Sequence, residues 1–203
     1  MDSDNLAIVR FGHETGLLKD IARAGWLLAG VRNGESVAEH SFRVGILAYC
    51  IAFQEGANPD HAATLGLFHD VPETRIGDVP SVGKHYVQTA DPAKVIADQV
   101  LGLPSTLAAH ITALIVEHEG AKEPNATLEA KCSRDADKIE CLLQAREYQR
   151  EGYTQLEHWV TSMVDAVETV TGKRLATAAL DVSPATWWED FARTFGQSRH
   201  HQP

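Results

Sequence analysis

Ser36-Val37-Ala38-Glu39-His40-Ser41-Phe42-Arg43-Val44-Gly45-Ile46-Leu47-Ala48-Tyr49-Cys50-Ile51-Ala52-Phe53-Gln54 reads as a helix that carries its own start signal. Ser36 and Glu39 match a capping box, in which each side chain satisfies a backbone N–H that the first helical turn leaves free. Beyond the box the segment is apolar nearly all round, which predicts a helix at the centre of the fold. His40 lies in its first turn, among apolar neighbours.

The same periodicity extends in both directions, and no run of alternating residues suggests a strand. Upstream, residues 6–29 read as one helix interrupted by Gly30 and Asn33-Gly34. Downstream, Asn58-Pro59 reads as an N-cap followed by proline at the first helical position, opening a short helix that ends near His69-Asp70. Residues 71–90 carry Pro72, Gly77, Pro80 and Gly83 and read as a loop, where catalytic side chains are often placed. Helices then start at Asp91-Pro92 and near Pro104, the second reaching Glu119, with a turn over 120–126. Further helices are expected over 127–150 and 153–171, with Gly172 as a stop. Ser183-Pro184 introduces a last helix bearing Trp187, Trp188, Phe191 and Phe195, read as core or as a dimer interface. The tail from Gln197 is expected to fray. The expectation is an all-α, single-domain helical bundle over residues 1–203.

Composition fits that reading and narrows the function. The chain has 203 residues, 44% apolar and 23% charged, the balance of an ordinary globular domain. No apolar run is long enough to span a membrane, and the acidic start Met1-Asp2-Ser3-Asp4 does not resemble a targeting segment. A formal charge of −10 argues against broad nucleic-acid binding, though a metal and one or two arginines can reverse the potential locally. Cys50, Cys132 and Cys141 form no CxxC pattern and suggest the reducing cytoplasm.

The chemistry concentrates on His40, the adjacent pair His69-Asp70, and an aspartate near 137. A histidine in an apolar helix is more often a satisfied core residue than a ligand, and a His-Asp pair at a helix end is weak alone. Taken together, they would bury several polar groups at helix ends, and such groups need partners. One divalent ion, held by neutral imidazoles and carboxylates, satisfies them at once. The expected 127–150 helix offers both Asp135 and Asp137, and its wide apolar stripe does not choose between them.

Five motifs then occur in order: Ala24-Gly25-Trp26, Glu35-Ser36-Val37-Ala38-Glu39-His40-Ser41, Phe68-His69-Asp70-Val71-Pro72-Glu73-Thr74, Gly77-Asp78-Val79-Pro80 and Ala136-Asp137-Lys138-Ile139-Glu140. Together they resemble the HD-domain metallophosphohydrolases, and within them the small 5'-deoxynucleotidases, over about residues 15–150, with the helices of 153–196 lying outside that motif-bearing core. The resemblance implies an all-α, typically dimeric enzyme with one divalent ion, Co²⁺ or Mn²⁺ foremost, with Mg²⁺, Zn²⁺ and Fe²⁺ also compatible. It implies His40, His69, Asp70 and Asp137 as ligands and Glu73 as a catalytic carboxylate beside Asp70. It places Asp78, with Ser81 as the matching hydroxyl, against the sugar, and Trp26 beside it.

Some relatives carry arginine immediately before that tryptophan, where this chain has Gly25. Others read Arg-Thr-Gly-Trp, matched here by Arg23-Ala24-Gly25-Trp26, which assigns the phosphate to Arg23. Lys84 is a second cationic candidate. His85, His110 and His118 fall where dinuclear relatives keep further ligands, but their flanks do not match those branches. The expected activity is hydrolysis of deoxynucleoside 5'-monophosphates by a homodimer with no nucleic-acid or membrane partner. The alternatives are another phosphohydrolase acting on a modified nucleotide or small phosphoester, and a non-catalytic metal-binding interaction protein.

Overall fold

The capping box predicted at Ser36 is present, and it sets the start of the helix around which the others are arranged. In a computed structural model, which describes residues 3–196, the Glu39 N–H donates to Ser36 Oγ and the Ser36 N–H donates to Glu39 Oε2. The expected fraying from Gln197 concerns residues outside that range. Among the described residues there are ten α-helices and no strand. They are α1 (Ser3–Gly16), α2 (Val37–Glu55), α3 (Pro59–Phe68), α4 (Glu73–Ile76), α5 (Pro92–Gln99), α6 (Ser105–Glu119), α7 (Leu128–Glu151), α8 (Glu157–Ala166), α9 (Val170–Asp181) and α10 (Thr186–Gly196). The fold is all-α.

Helices α2, α3 and α7 form the centre. Val44, Ala48, Ile51 and Ala52 of α2 are sealed against Ala62 of α3 and Ile139, Leu142 and Ala145 of α7. Each large side chain buried this way contributes roughly 1.5–3 kcal/mol. One expectation needs correction, because α2 is not buried all round. Phe42, Ile46, Tyr49 and Phe53, spaced to share one face, are exposed, Phe53 to 71%. The aromatic residues of α10 are likewise on the surface rather than in the core, with Trp187 77% exposed.

Two predicted helices are broken by contacts that local sequence does not reveal. Residues 6–29 do not form one helix: α1 ends at Gly16, and a 3₁₀ turn spans Leu17–Lys19. The chain then runs extended, with Ala22 bridged antiparallel to Ser36. The Val37 N–H donates to Ile21 O (2.8 Å) and the Arg23 N–H to Glu35 O (3.0 Å), so these groups are satisfied outside a helix. A second 3₁₀ segment, Ala24–Ala29, follows and ends at Gly30, whose φ of 84° suits glycine.

The predicted helix over 153–171 is in fact two, α8 and α9, and Gly172 lies inside α9 rather than stopping it. Asp135 explains the break. Its carboxylate, 0% exposed, accepts from the Glu168 N–H (2.9 Å) and the Thr169 N–H (2.7 Å), holding the chain at the entry to α9. The approach is so close that a Cβ at Gly172 would lie 2.5 Å from Asp135 Oδ2.

Candidate metal centre

His40 enters from the first turn of α2, His69 and Asp70 from the end of α3, and Asp137 from the middle of α7. The approach of α3 to α2 depends on small residues: a Cβ on Gly66 would lie 3.1 Å from Val44 Cγ1, so glycine there lets the helices meet. The ligand atoms of His40, His69 and Asp137 all lie within 4.8 Å of one another. His40 Nε2 is 3.3 Å from Asp137 Oδ1 and 3.7 Å from Asp70 Oδ2, and His69 Nε2 is 3.0 Å from Asp70 Oδ2.

Both imidazoles are fixed from behind. His69 Nδ1 donates to Gly66 O (2.7 Å), since a carbonyl can only accept. His40 Nδ1 meets Oε2 of Glu140, a residue 0% exposed on α7. Burial alone would raise the Glu140 pKa, but His40 and Arg43 hold it below the usual carboxylate range. An ionised Glu140 likewise only accepts, so each Nδ1 carries a proton, the arrangement that leaves Nε2 as the nitrogen available to an ion. Arg43 grips the other oxygen of Glu140 through Nε (2.9 Å) and Nη2 (2.7 Å) and reaches Gln144 and Glu147 at 2.7 Å each.

His40 is 0% exposed, and its Nε2 has no hydrogen-bond partner. An unsatisfied nitrogen buried beside two carboxylates is costly unless something else binds there. A divalent cation meets that requirement, and two imidazole nitrogens with carboxylate oxygens form a donor set that zinc, cobalt, manganese or iron accepts. The residues therefore fit a metal ion.

The cleft over these groups has a volume of about 400 Å³, and Arg23, Trp26, His69, Asp70, Glu73, Asp78, Ser81, Lys84 and Asp137 all line it. Arg23 Nη1 lies 3.4 Å from Asp70 Oδ2 and 3.8 Å from Asp78 Oδ1. Glu73 opens α4, which Arg75 ties to Glu14 of α1 and Thr74 to Gln99 of α5. Burial, reinforced by Asp70 and Asp78, pushes Glu73 up to about 9, and its Oε2 is buried without a partner. Asp78 Oδ2 accepts from the Ala24 N–H (2.7 Å), fastening the loop to the 3₁₀ segment. Ser81 and Lys84 are exposed at the rim.

Trp26 borders the cleft yet is only 3% exposed. Its Nε1–H donates to Glu35 Oε1 (3.0 Å), and its ring meets Tyr148 edge-on at 5.2 Å. Burial, with Glu140 beside it, pushes Glu35 up to about 7. Of the three further histidines, His118 alone lines the cleft. Its ring packs against His69 at 4.9 Å and its Nδ1 bonds Ser133 Oγ at 2.9 Å, while burial and His69 lower it to about 3. His85 packs on Tyr86, and His110 is exposed on α6.

The motif around Asp137 contains Glu140, but sequence reasoning assigned it no role, although it follows Asp137 by three residues and so shares its helix face. Nor did it assign a role to Lys138, whose Nζ holds Asp137 Oδ2 at 2.7 Å, or notice the cleft-lining Trp159 and Met163 of α8. The α8 pair lies outside the motif-bearing stretch and gave no local signal.

A family model described as an HD domain matches residues 15–179. The chain is 33% identical over 153 residues to the 5'-deoxynucleotidase hdd1 of Schizosaccharomyces pombe, covering 72% of this chain and 74% of that protein. It is 30% identical over 173 residues to the human 5'-deoxynucleotidase HDDC2, covering 82% and 78% respectively. Among solved structures, one from Magnetospirillum magnetotacticum, described as a predicted metal-dependent phosphohydrolase, superposes with a TM-score of 0.65 at 28% identity over 88% of this chain and 90% of that one. A conserved hypothetical protein from Pyrococcus furiosus gives 0.69 at 25% identity over 86% and 99%.

Proposed function

This chain belongs to the HD-domain family, and from that premise we propose that it is a divalent-metal-dependent phosphohydrolase converting deoxynucleoside 5'-monophosphates to deoxynucleosides and phosphate. The observation that carries the reading is the buried, unpartnered Nε2 of His40 facing Asp70 and Asp137 beneath an open cleft. We assign His40, His69, Asp70 and Asp137 to the ion, with Co²⁺ or Mn²⁺ preferred. When bound, such an ion polarises a phosphate oxygen and makes water a better nucleophile near neutral pH.

The chain's own groups do the rest. The Arg23 guanidinium, beside Asp70, neutralises charge that accumulates on the phosphoryl oxygens. Glu73 uses its free carboxyl oxygen to orient a water or pass a proton to or from the reacting oxygens. Asp78, Ser81 and Trp26 border the sugar, and Lys84 supports the phosphate from the rim. Lys138 occupies one oxygen of Asp137 and so limits the ways that carboxylate can coordinate.

We also assign a homodimer joined through the exposed stripe of Phe42, Ile46, Tyr49 and Phe53, an apolar face of the kind that marks an interface. The three free cysteines agree with a cytoplasmic location. The test of the activity is phosphate release from a panel of deoxynucleoside and ribonucleoside monophosphates with Co²⁺, Mn²⁺ or Mg²⁺ added. Metal-dependent release from deoxynucleotides is expected. No release with any ion, from protein shown to hold the metal, would overturn the reading.

A further inference from the structure

The wall of the cleft changes character along a short piece of chain. Arg23 lies against Asp70 at the metal end, while two residues later Gly25 sits beside the edge of the Trp159 indole, whose Nε1 is 4.0 Å from where a Cβ on that glycine would be. Arg23 and Gly25 both line the cleft, so one turn of backbone leads from the phosphate-facing cation to an aromatic surface.

Trp159 is not simply core. Leu156, just before α8, and Val160 on it are fully or almost fully buried and supply that helix's packing, whereas Trp159 is half-buried and lines the cleft. Met163, one turn further on, lines the same cleft, as the i, i+4 spacing requires. One side of Trp159 is braced: its ring stacks on Trp26 at 6.1 Å with 28° between the planes, and Trp26 is itself held by Glu35 and Tyr148. An aromatic ring held in place before the ligand arrives loses little freedom on binding, which favours planar ligands. A thioether beside it adapts to the edge of whatever ring is bound.

We propose that Trp159 and Met163 form a nucleobase subsite, in which the base of the substrate lies against the indole of α8 while its phosphate faces Arg23. The proposal rests on the nucleoside-monophosphate reading and adds to it the part of the protein that meets the base. Stacking of one base on one aromatic side chain is worth roughly ten-fold or more in affinity and is available to every base.

The test compares two ligands: dAMP, and 2-deoxyribose 5-phosphate, which keeps the sugar and phosphate but has no base. Their affinities for the metal-loaded protein are measured by calorimetry in a Glu73→Ala background, where turnover is slow, with Trp159 kept as in the wild type or changed to Ala or Phe. With Trp159 kept, dAMP is expected to bind at least ten-fold more tightly than the abasic ligand. Trp159→Ala should bring that ratio close to one, and Trp159→Phe should restore most of it. An unchanged ratio in Trp159→Ala, or a protein with Trp159 kept that does not distinguish the two ligands, would overturn the subsite. Phosphate release, measured separately, bears on the parent reading: base-dependent binding without hydrolysis would sink the activity and leave the subsite standing.

Discussion

The rear and the mouth of this cleft are built in opposite ways. At the rear, α2 and α7 close over His40, Glu140 and Asp137, and Arg43 fastens Glu140 from outside with two hydrogen bonds. At the mouth, Ser81, Lys84 and half-buried Trp159 face solvent from a loop and a later helix. The rear is rigid and specified by helix packing, which suits groups that must hold an ion in a fixed geometry. The mouth has few internal bonds and can vary with the ligand without disturbing the core.

The contrast is sharpest for two aspartates on one helix. Asp137→Ala should abolish metal binding, with helical content retained by circular dichroism, because the surrounding bundle packs without the ion. Asp135→Ala should keep the metal but cost about 2 kcal/mol, since it strips two hydrogen bonds from the entry to α9. For a chain of this size that is a Tm decrease of ~4–8 °C. Metal analysis showing full occupancy in Asp137→Ala, with loss in Asp135→Ala, would reverse the assignment.

Next in size is Glu73, which stands between rear and mouth. Glu73→Ala should retain the ion and lose roughly 10²-fold or more in kcat. Near wild-type turnover would make it an ordinary buried acid. Behind the ligands, Glu140→Gln weakens the acceptor that holds the His40 tautomer. Metal affinity should fall by roughly 10- to 100-fold, measured by competition with a chelator. Unchanged affinity would show that the rear is packing alone.

The last effect expected concerns stability against pH. Burial, with Glu140 beside it, pushes Glu35 up to about 7 from its ordinary value near 4.5. Its contribution is therefore fully present below about pH 4.5 and is lost as pH rises through 7. Glu35→Gln should gain little over the wild type at pH 5 and about 2–3 kcal/mol at pH 8, on the scale of 1.36 kcal/mol per pKa unit. Denaturant midpoints at the two pH values decide it, and a gain that did not grow with pH would refute the buried-acid account.

What the sequence made legible follows the same division. The start of α2 was readable because a capping box is local, and Asn58-Pro59 marked α3 for the same reason. His40, His69, Asp70 and Asp137 come together because each holds a fixed place on α2 or α7, or just after α3. The interruption of residues 6–29 was not readable, since it depends on Ala22 meeting Ser36 across a loop. Gly172 looked like a helix stop because nothing near it announces Asp135, more than thirty residues upstream, as the group that starts α9. Trp159 escaped notice because its partners, Gly25 and Trp26, are distant in the chain.

The small bridge between Ala22 and Ser36 has a consequence for experiments in solution. On one side it is followed at once by Arg23; on the other, Ser36 begins the helix whose first turn bears His40. The amide protons of Val37 and Arg23, bonded to Ile21 O and Glu35 O, therefore serve as two clocks on a single latch. Their exchange with deuterium reports how often the anion-facing and ion-facing halves of the cleft come apart together, with no substrate or ion needed to ask the question.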